Sequence, residues 1–147
     1  MNTSEFLTIS SAIVPERLAT VVGDRRTTYE ELQLRVSRLA NGFSSLGMCR
    51  GDRVAVLQVN CAEHIETYFA AAKLDAVYVP LPFRARADEL THMINDAAPR
   101  VLLVGQRYVD LVRSFADRLE SVEHYVALEA HTDGWPFYDD LVGSASV

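Results

Sequence analysis

The sequence predicts an α/β fold: a layered parallel β-sheet flanked by helices, with a small N-terminal β-hairpin ahead of it. Three observations carry this expectation. Apolar runs recur at residues 54–57, 77–79, 101–104 and 125–128. Segments of about 10 to 15 residues with apolar positions at helical spacing separate them. Near the start, Gly23-Asp24 stands between two β-prone stretches, as a tight turn would. Strands alternating with helices require crossover connections, and right-handed crossovers give parallel pairing with helices covering the sheet.

The hairpin is expected over residues 19–22 and 26–28. Thr28 and Glu31 form a capping-box pattern, after which Leu32, Val36, Leu39, Ala40, Phe43 and Leu46 recur down one helical face and Gly47 is placed to end the helix. Past the polar turn Arg50-Gly51-Asp52, the run 54–57 is apolar on both faces, as a strand covered from both sides must be. Asn60 with Glu63 repeats the capping logic, and Ile65, Tyr68, Phe69 and Ala72 are expected as the buried face of the next helix. Strand 77–79 then ends at Pro80-Leu81-Pro82. A third helix carries Leu90, Met93, Ile94 and Ala97, and strand 101–104 follows Pro99. A fourth helix, with Val109, Val112, Ala116 and Leu119, leads to strand 125–128. Residues 1–142 are read as one α/β subdomain. Residues 143–147, small and polar without periodicity, are read as a linker or frayed end.

Composition limits the function. The 147 residues carry 14 basic and 20 acidic side chains, a formal charge of −6, with the basic residues scattered among acids. A nucleic-acid partner, which needs clustered Lys and Arg, is therefore not expected. The N-terminus lacks a signal-peptide pattern and the longest uncharged apolar run is too short for a transmembrane segment, so a soluble, cytoplasmic protein is expected. Cys49 and Cys61 have neither C-x-x-C spacing nor a His pair beside them and are read as reduced thiols. Lys73 is the only lysine, so a mechanism needing a second must find it outside this chain.

In an open parallel sheet the ligand crevice lies beyond the carboxyl ends of the strands, here residues 58–60, 80–84 and 105–106. No G-x-G-x-x-G or G-x-x-x-x-G-K-[ST] occurs, and Gly47 and Gly51 join a helix to a strand, the wrong polarity for holding phosphate at a helix N-terminus. Ser44-Ser45 fall toward a helix end with no G-x-S-x-G elbow. Cys61 lies near a helix start with His64 three residues on; a thiolate stabilised by the helix dipole and an inert small residue beside a surface histidine are both readings of that spacing. His64, His92, His124 and His131 form no i, i+4 pair, so no metal site is expected. Tyr68, Phe69, Tyr78 and Phe83 are read as helix-on-sheet packing. Arg84 and Arg86 sit in the crevice loop, where they would contact an anion or order the loop by pairing with Asp88 or Glu89. No catalytic residue is identified, and these two arginines are the cofactor-binding candidates.

Several stretches together resemble the AMP-forming acyl-CoA synthetases of the adenylate-forming superfamily. They are Thr28-Tyr29-Glu30-Glu31-Leu32, Arg38-Leu39-Ala40, Leu46-Gly47 and Gly51-Asp52-Arg53-Val54-Ala55-Val56-Leu57. Downstream, Asn60 and Glu63 fall where that family has Asn-Ser-Pro-Glu, and Ala72-Lys73-Leu74 with Ala76-Val77 match its next helix-to-strand turn. Val79-Pro80-Leu81 with Arg84 is similar to its Val-Pro-Leu-Asn-x-Arg signature, followed by Glu89-Leu90 and Pro99-Arg100-Val101-Leu102-Leu103-Val104. The order of these motifs, each weak alone, gives the resemblance its specificity over residues 19–141. Cys61-Ala62 replaces Ser-Pro, Asp75 replaces a glycine and Pro82 replaces an asparagine. Asp75 thus means either a turn without positive φ or a strained one.

The resemblance implies the N-terminal part of an enzyme that activates a carboxylic acid, read here as a fatty acid, with ATP and Mg to an acyl-adenylate and passes the acyl group to CoA. The phosphate loop, adenine and ribose contacts and catalytic lysine of that family lie beyond the part resembled, so the chain alone is expected to bind no cofactor and to be inactive. A non-enzymatic α/β interaction module, or a truncated pseudoenzyme, is the alternative. Uncovered sheet edge and apolar surface would make the chain self-associate.

Overall fold

Asn2 opens the chain with a capping box that places a helix ahead of the hairpin: its side chain accepts from the Ser4 N–H at 3.1 Å, and the Glu5 carboxylate accepts from the Asn2 N–H at 3.2 Å. The computed structural model describes residues 2–146. Along them run α1 (Thr3–Ile13), β1 (Leu18–Val22), β2 (Arg25–Thr28), α2 (Tyr29–Ser45), β3 (Arg53–Leu57), α3 (Ala62–Lys73), β4 (Val77–Pro80), α4 (Ala87–Ala97), β5 (Val101–Val104), α5 (Val109–Phe115), β6 (His124–Ala127) and α6 (Tyr138–Ser144). β1 and β2 pair antiparallel around Gly23, whose φ of +58° suits the turn. The Thr28 hydroxyl accepts from the Glu31 N–H, and the Glu31 carboxylate accepts from the Thr28 N–H at 2.8 Å, which starts α2 as its sequence requires.

The second sheet is four-stranded and parallel, in the order β4-β3-β5-β6. Alternate residues of its central strands serve opposite layers, since side chains alternate across a strand. Val54, Val56, Val101 and Leu103 pack with Leu7, Leu39, Phe43, Ala70 and Tyr138 under α1, α2, α3 and α6. Ala55, Leu57, Leu102 and Val104 pack with Leu90, Ile94, Val112 and Phe115 under α4 and α5. Both faces are therefore dry, which accounts for the unbroken apolar runs of β3 and β5. Gly42 lets α6 close on α2: a Cβ there would lie 3.1 Å from the Leu141 carbonyl oxygen.

Several local expectations are corrected. The N-cap of α3 is Cys61, not Asn60, and its side chain makes no cap bond. The buried face of α3 is Ala62, Glu66, Thr67, Ala70 and Ala71, whereas Ile65 and Tyr68 are exposed. The small residues let α3 lie close to its neighbours, and the larger side chains turn toward α1, the hairpin and the sheet edge. Met93 is also exposed, so α4 buries a narrower stripe of Leu90 and Ile94. The fourth helix is α only to Phe115 and tightens into a 3-10 turn over Ala116–Arg118, which leaves Leu119 in extended backbone beyond it. Helix α6 carries Gly143 and Ser144 beyond the point where the sequence loses periodicity, while Val147 lies outside the described residues.

Asp75 has φ +52° and Ala98 φ +48°, so the turn after α3 does need a left-handed residue and Asp75 supplies it under strain. Its carboxylate accepts from the Asn2 side chain at 2.8 Å, which ties the turn to α1. In the edge strand β4, the Val77 N–H points inward to the Asp52 carbonyl just before β3, and the N–H of Leu81, the residue after β4, to the Val56 carbonyl in β3. By the two-residue alternation of a strand, Pro80 therefore stands where a donor would point outward. This edge is blunted against strand addition. Among the described residues no helix is long and apolar enough to cross a membrane.

Candidate functional site

The chain reverses its direction of sheet growth between β3 and β5, because β4 is added on one side of β3 and β5 on the other. The crevice outside the carboxyl ends of these two strands is where a parallel α/β sheet places a ligand. Here it is closed by its own polar groups. Gln58, 4% exposed, follows β3, and its side-chain oxygen accepts from the Val59 N–H at 2.9 Å. Its amide lies against Gly105, where any Cβ would overlap it, so glycine at this position serves space rather than backbone angle. The Gly105 N–H donates to the Leu57 carbonyl at 3.0 Å. The Gln106 N–H donates to the Glu129 carboxylate at 2.7 Å. A mouth whose amide donors are already engaged, one by a carboxylate, is not a phosphate cradle.

Arg84 and Arg86 lie in the loop beyond the carboxyl end of β4, exposed and on the crevice side of the sheet. The Arg84 guanidinium stands 5.5 Å from the centroid of the Phe83 ring, a cation–π geometry that steadies the side chain. Arg86 is the N-cap of α4, and its backbone N–H donates to Glu89 at 2.8 Å. The side-chain pairing expected with Asp88 or Glu89 does not form: Asp88 accepts from Arg118 at 2.8 Å, and Glu89 is met by the Arg86 backbone N–H rather than by a guanidinium. Both guanidinium groups therefore face solvent with their charge available to an anion.

Cys61 is held as the thiol. Burial first, and the neighbouring Glu63 carboxylate second, push its thiol up to about 12, so the dipole of α3 does not yield a thiolate near neutral pH. His64 is not a surface residue. Its Nε2 lies 3.1 Å from the Gln58 carbonyl oxygen, which fixes the proton on Nε2 and leaves Nδ1 to accept from the Tyr78 hydroxyl at 2.6 Å. Burial raises the Tyr78 phenol above its ordinary value, consistent with a donor that keeps its proton. Tyr78 also meets Tyr68 edge to face, with centroids 5.9 Å apart. These aromatics fasten α3 to β4, as their packing role requires.

The most polar buried constellation is one the sequence reading did not find. Glu66 is 1% exposed and accepts from Arg35 Nε at 2.8 Å, Arg25 at 3.0 Å and the Tyr138 hydroxyl at 2.8 Å. Arg35 also reaches Asp139 at 3.3 Å. Burial works against the Arg35 charge, yet its hydrogen bonds and ion pair with Glu66 outweigh this and hold its pKa above the ordinary guanidinium value. The group joins β2, α2, α3 and α6. A signal was present: Ala62, Glu66 and Ala70 share one helical face, so a carboxylate stands in the middle of a small-residue stripe. All its acceptors are engaged, which makes it structural.

The other residues weighed from sequence stay apart. Ser45 donates to the Gly42 carbonyl within α2, and the exposed Cys49 thiol lies 3.4 Å from the Asp52 carboxylate. His131 meets Phe137 and Asp140, and among the described residues no group of three or more His, Cys, Asp or Glu is placed to hold a metal ion.

Comparison with known proteins supplies what this geometry alone does not. Residues 9–145 match the family described as AMP-binding enzyme. The chain is 35% identical over 80% of its length to a long-chain-fatty-acid–CoA ligase of Thermus thermophilus, and 32% identical over 97% of its length to an indoleacetate–CoA ligase of Aromatoleum aromaticum. It is 40% identical over 69% of its length to a feruloyl-CoA synthase of an Amycolatopsis species. It spans only 22%, 28% and 21% of these three relatives. Among solved structures, a fatty acyl CoA synthetase of Mycobacterium tuberculosis superposes on 99% of the chain with a TM-score of 0.86 at 28% identity, the match covering 28% of that protein.

Proposed function

The chain belongs to the AMP-binding enzyme family, and from that membership we propose that it is the N-terminal part of an ATP-dependent, AMP-forming carboxylic acid–CoA ligase. In that reaction the acid's carboxylate oxygen attacks the α-phosphorus of ATP, forming an acyl-adenylate and releasing pyrophosphate. The thiol of CoA then attacks the acyl carbon and AMP leaves. The observation that carries this reading is the alignment of 97% of the chain with a CoA ligase at 32% identity. Within the relatives' acids, which include long-chain fatty acid, indoleacetate and ferulate, we assign a fatty acid.

The 147-residue chain alone is inactive in this account. Its sheet crevice is closed by Gln58 and its donors near Gly105 are engaged, so no charge-neutralising cradle for the transferring phosphate is supplied here. Among the described residues no group of three or more His, Cys, Asp or Glu is placed to hold a Mg ion. Arg84 and Arg86 are the candidates for contact with an anionic substrate group. Cys49 and Cys61 are free thiols, in keeping with a cytoplasmic setting.

Self-association belongs to the same proposal, with its location moved. The β4 edge is guarded by Pro80, whereas Phe6, Ile9 and Ile13 share the outer face of α1 and are 56%, 49% and 72% exposed. Light scattering of the chain at micromolar concentration is expected to give a dimer or larger species, and Ile13→Glu to give a monomer. A longer polypeptide continuing past Val147 tests the enzymatic reading: CoA thioester formation with fatty acids, indoleacetate and ferulate supports it. No thioester with any acid favours the non-enzymatic module.

A further inference from the structure

Three helices meet beside the chain's only lysine. Lys73, in the last turn of α3, donates to the Ser37 hydroxyl oxygen on α2 at 2.9 Å. Among the described residues no carboxylate lies within 4.0 Å of its ammonium. Lys73 lines a groove of about 510 Å³ whose other polar lining is Ser4 and Thr8 of α1 and Ser37 and Asn41 of α2. In a chain of net charge −6, this is a cation-bearing groove with no acid in its lining.

The hydrogen-bond inventory leaves capacity there. An ammonium has three N–H donors, and Lys73 uses one on Ser37. The Ser37 proton goes to the Gln33 carbonyl at 2.9 Å, so its oxygen is free to hold the ammonium in place. Asn41 spends one amide N–H on the Ser146 carbonyl at 2.7 Å and keeps a second. Ser4 stands in the first turn of α1, where the helix adds partial positive charge. The nearby Asp75 carboxylate is engaged by Asn2 at 2.8 Å. Donor-bearing side chains on three helices thus line one groove, and an ammonium is a compact charge partner for phosphate.

We propose that this groove binds phosphate or a phosphate monoester, with Lys73 as the charge partner and Ser4 and Asn41 as further donors. The test is isothermal titration calorimetry of the 147-residue chain with sodium phosphate, glycerol phosphate and sodium acetate at one fixed ionic strength. Saturable binding of phosphate or glycerol phosphate is expected, weakened about tenfold or more in Lys73→Gln and in Asn41→Asp, which puts a negative charge into the groove. Arg50→Gln, a surface charge outside the lining, is expected to bind like the parent. Tighter binding of the ester assigns the groove to esters, and equal binding assigns it to the free ion; either supports the site. Circular dichroism checks each variant's fold, and Asn41→Asp decides if Lys73→Gln does not fold. No saturable heat with either phosphate, acetate binding as tightly as phosphate, or unchanged binding in folded variants overturns it.

Discussion

The hydroxyl of Tyr138 donates a 2.8 Å hydrogen bond to Oε2 of Glu66, and both side chains are within 1% of complete burial. This pair fastens the last helix to α3, while Arg35 and Arg25 neutralise the same carboxylate from α2 and the hairpin. Removing the carboxylate leaves Arg35 partly buried without its main partner. Glu66→Ala is therefore expected to cost about 3 to 5 kcal/mol, and Tyr138→Phe, which removes one bond to a charged acceptor, about 1.5 to 3. Urea unfolding measures both; equal midpoints for the two variants and the parent would show the network contributes nothing.

What the sequence made legible follows from which physics acted locally. The unbroken runs of β3 and β5 reflect burial on both faces, and the Thr28–Glu31 box is complete in the backbone it caps. Helix α1 is harder to read although Asn2 and Glu5 announce it, because only Leu7 is buried on it and its larger apolar side chains, Phe6, Ile9 and Ile13, are exposed. Apolar size points to the wrong face of α3, because close approach selects Ala62, Ala70 and Ala71 and three partners from distant segments make Glu66 burial tolerable. Arg84 and Arg86 were placed correctly beyond β4, but the capture of Asp88 by Arg118, thirty residues on, had no local signal.

The same tyrosine gives the chain an alkaline limit. Burial, then the charge of Glu66, holds the Tyr138 phenol well above its ordinary value. Above about pH 10 the unfolded chain loses this proton while the folded chain keeps it, so stability is full below that pH and falls as pH rises further. The urea midpoint is expected to drop between about pH 9 and pH 11, with a shallower drop in Tyr138→Phe. Tyr78 and Tyr125, also raised by burial, leave a residual slope. An identical slope in the variant would contradict this assignment.

Ala98 closes α4 in the left-handed region at φ +48°, exposed, with its N–H on the Ile94 carbonyl at 2.8 Å. Glycine carries no Cβ penalty there, so Ala98→Gly is expected to stabilise the chain by roughly 1 kcal/mol. A lowered urea midpoint would show that the added freedom of the unfolded glycine outweighs the relieved strain.

Gly105 and Gln58 should couple. A methyl group at position 105 displaces the buried Gln58 amide, so Gly105→Ala is expected to cost about 1 to 3 kcal/mol. Adding Gln58→Ala removes the clash and should recover much of that loss, a coupling that a double-mutant cycle reads directly. Additive costs would mean the amide moves aside freely.

The central claim, that this chain is the N-terminal part of an AMP-forming acid–CoA ligase, is tested most directly by acid-dependent exchange of radiolabelled pyrophosphate into ATP. It is measured for the 147-residue chain and for a polypeptide in which the chain continues past Val147. The account predicts exchange that requires a carboxylic acid, strongest with a fatty acid, in the longer polypeptide, and background alone in the chain by itself. Exchange by the isolated chain, or none by the longer polypeptide with any acid, would contradict it.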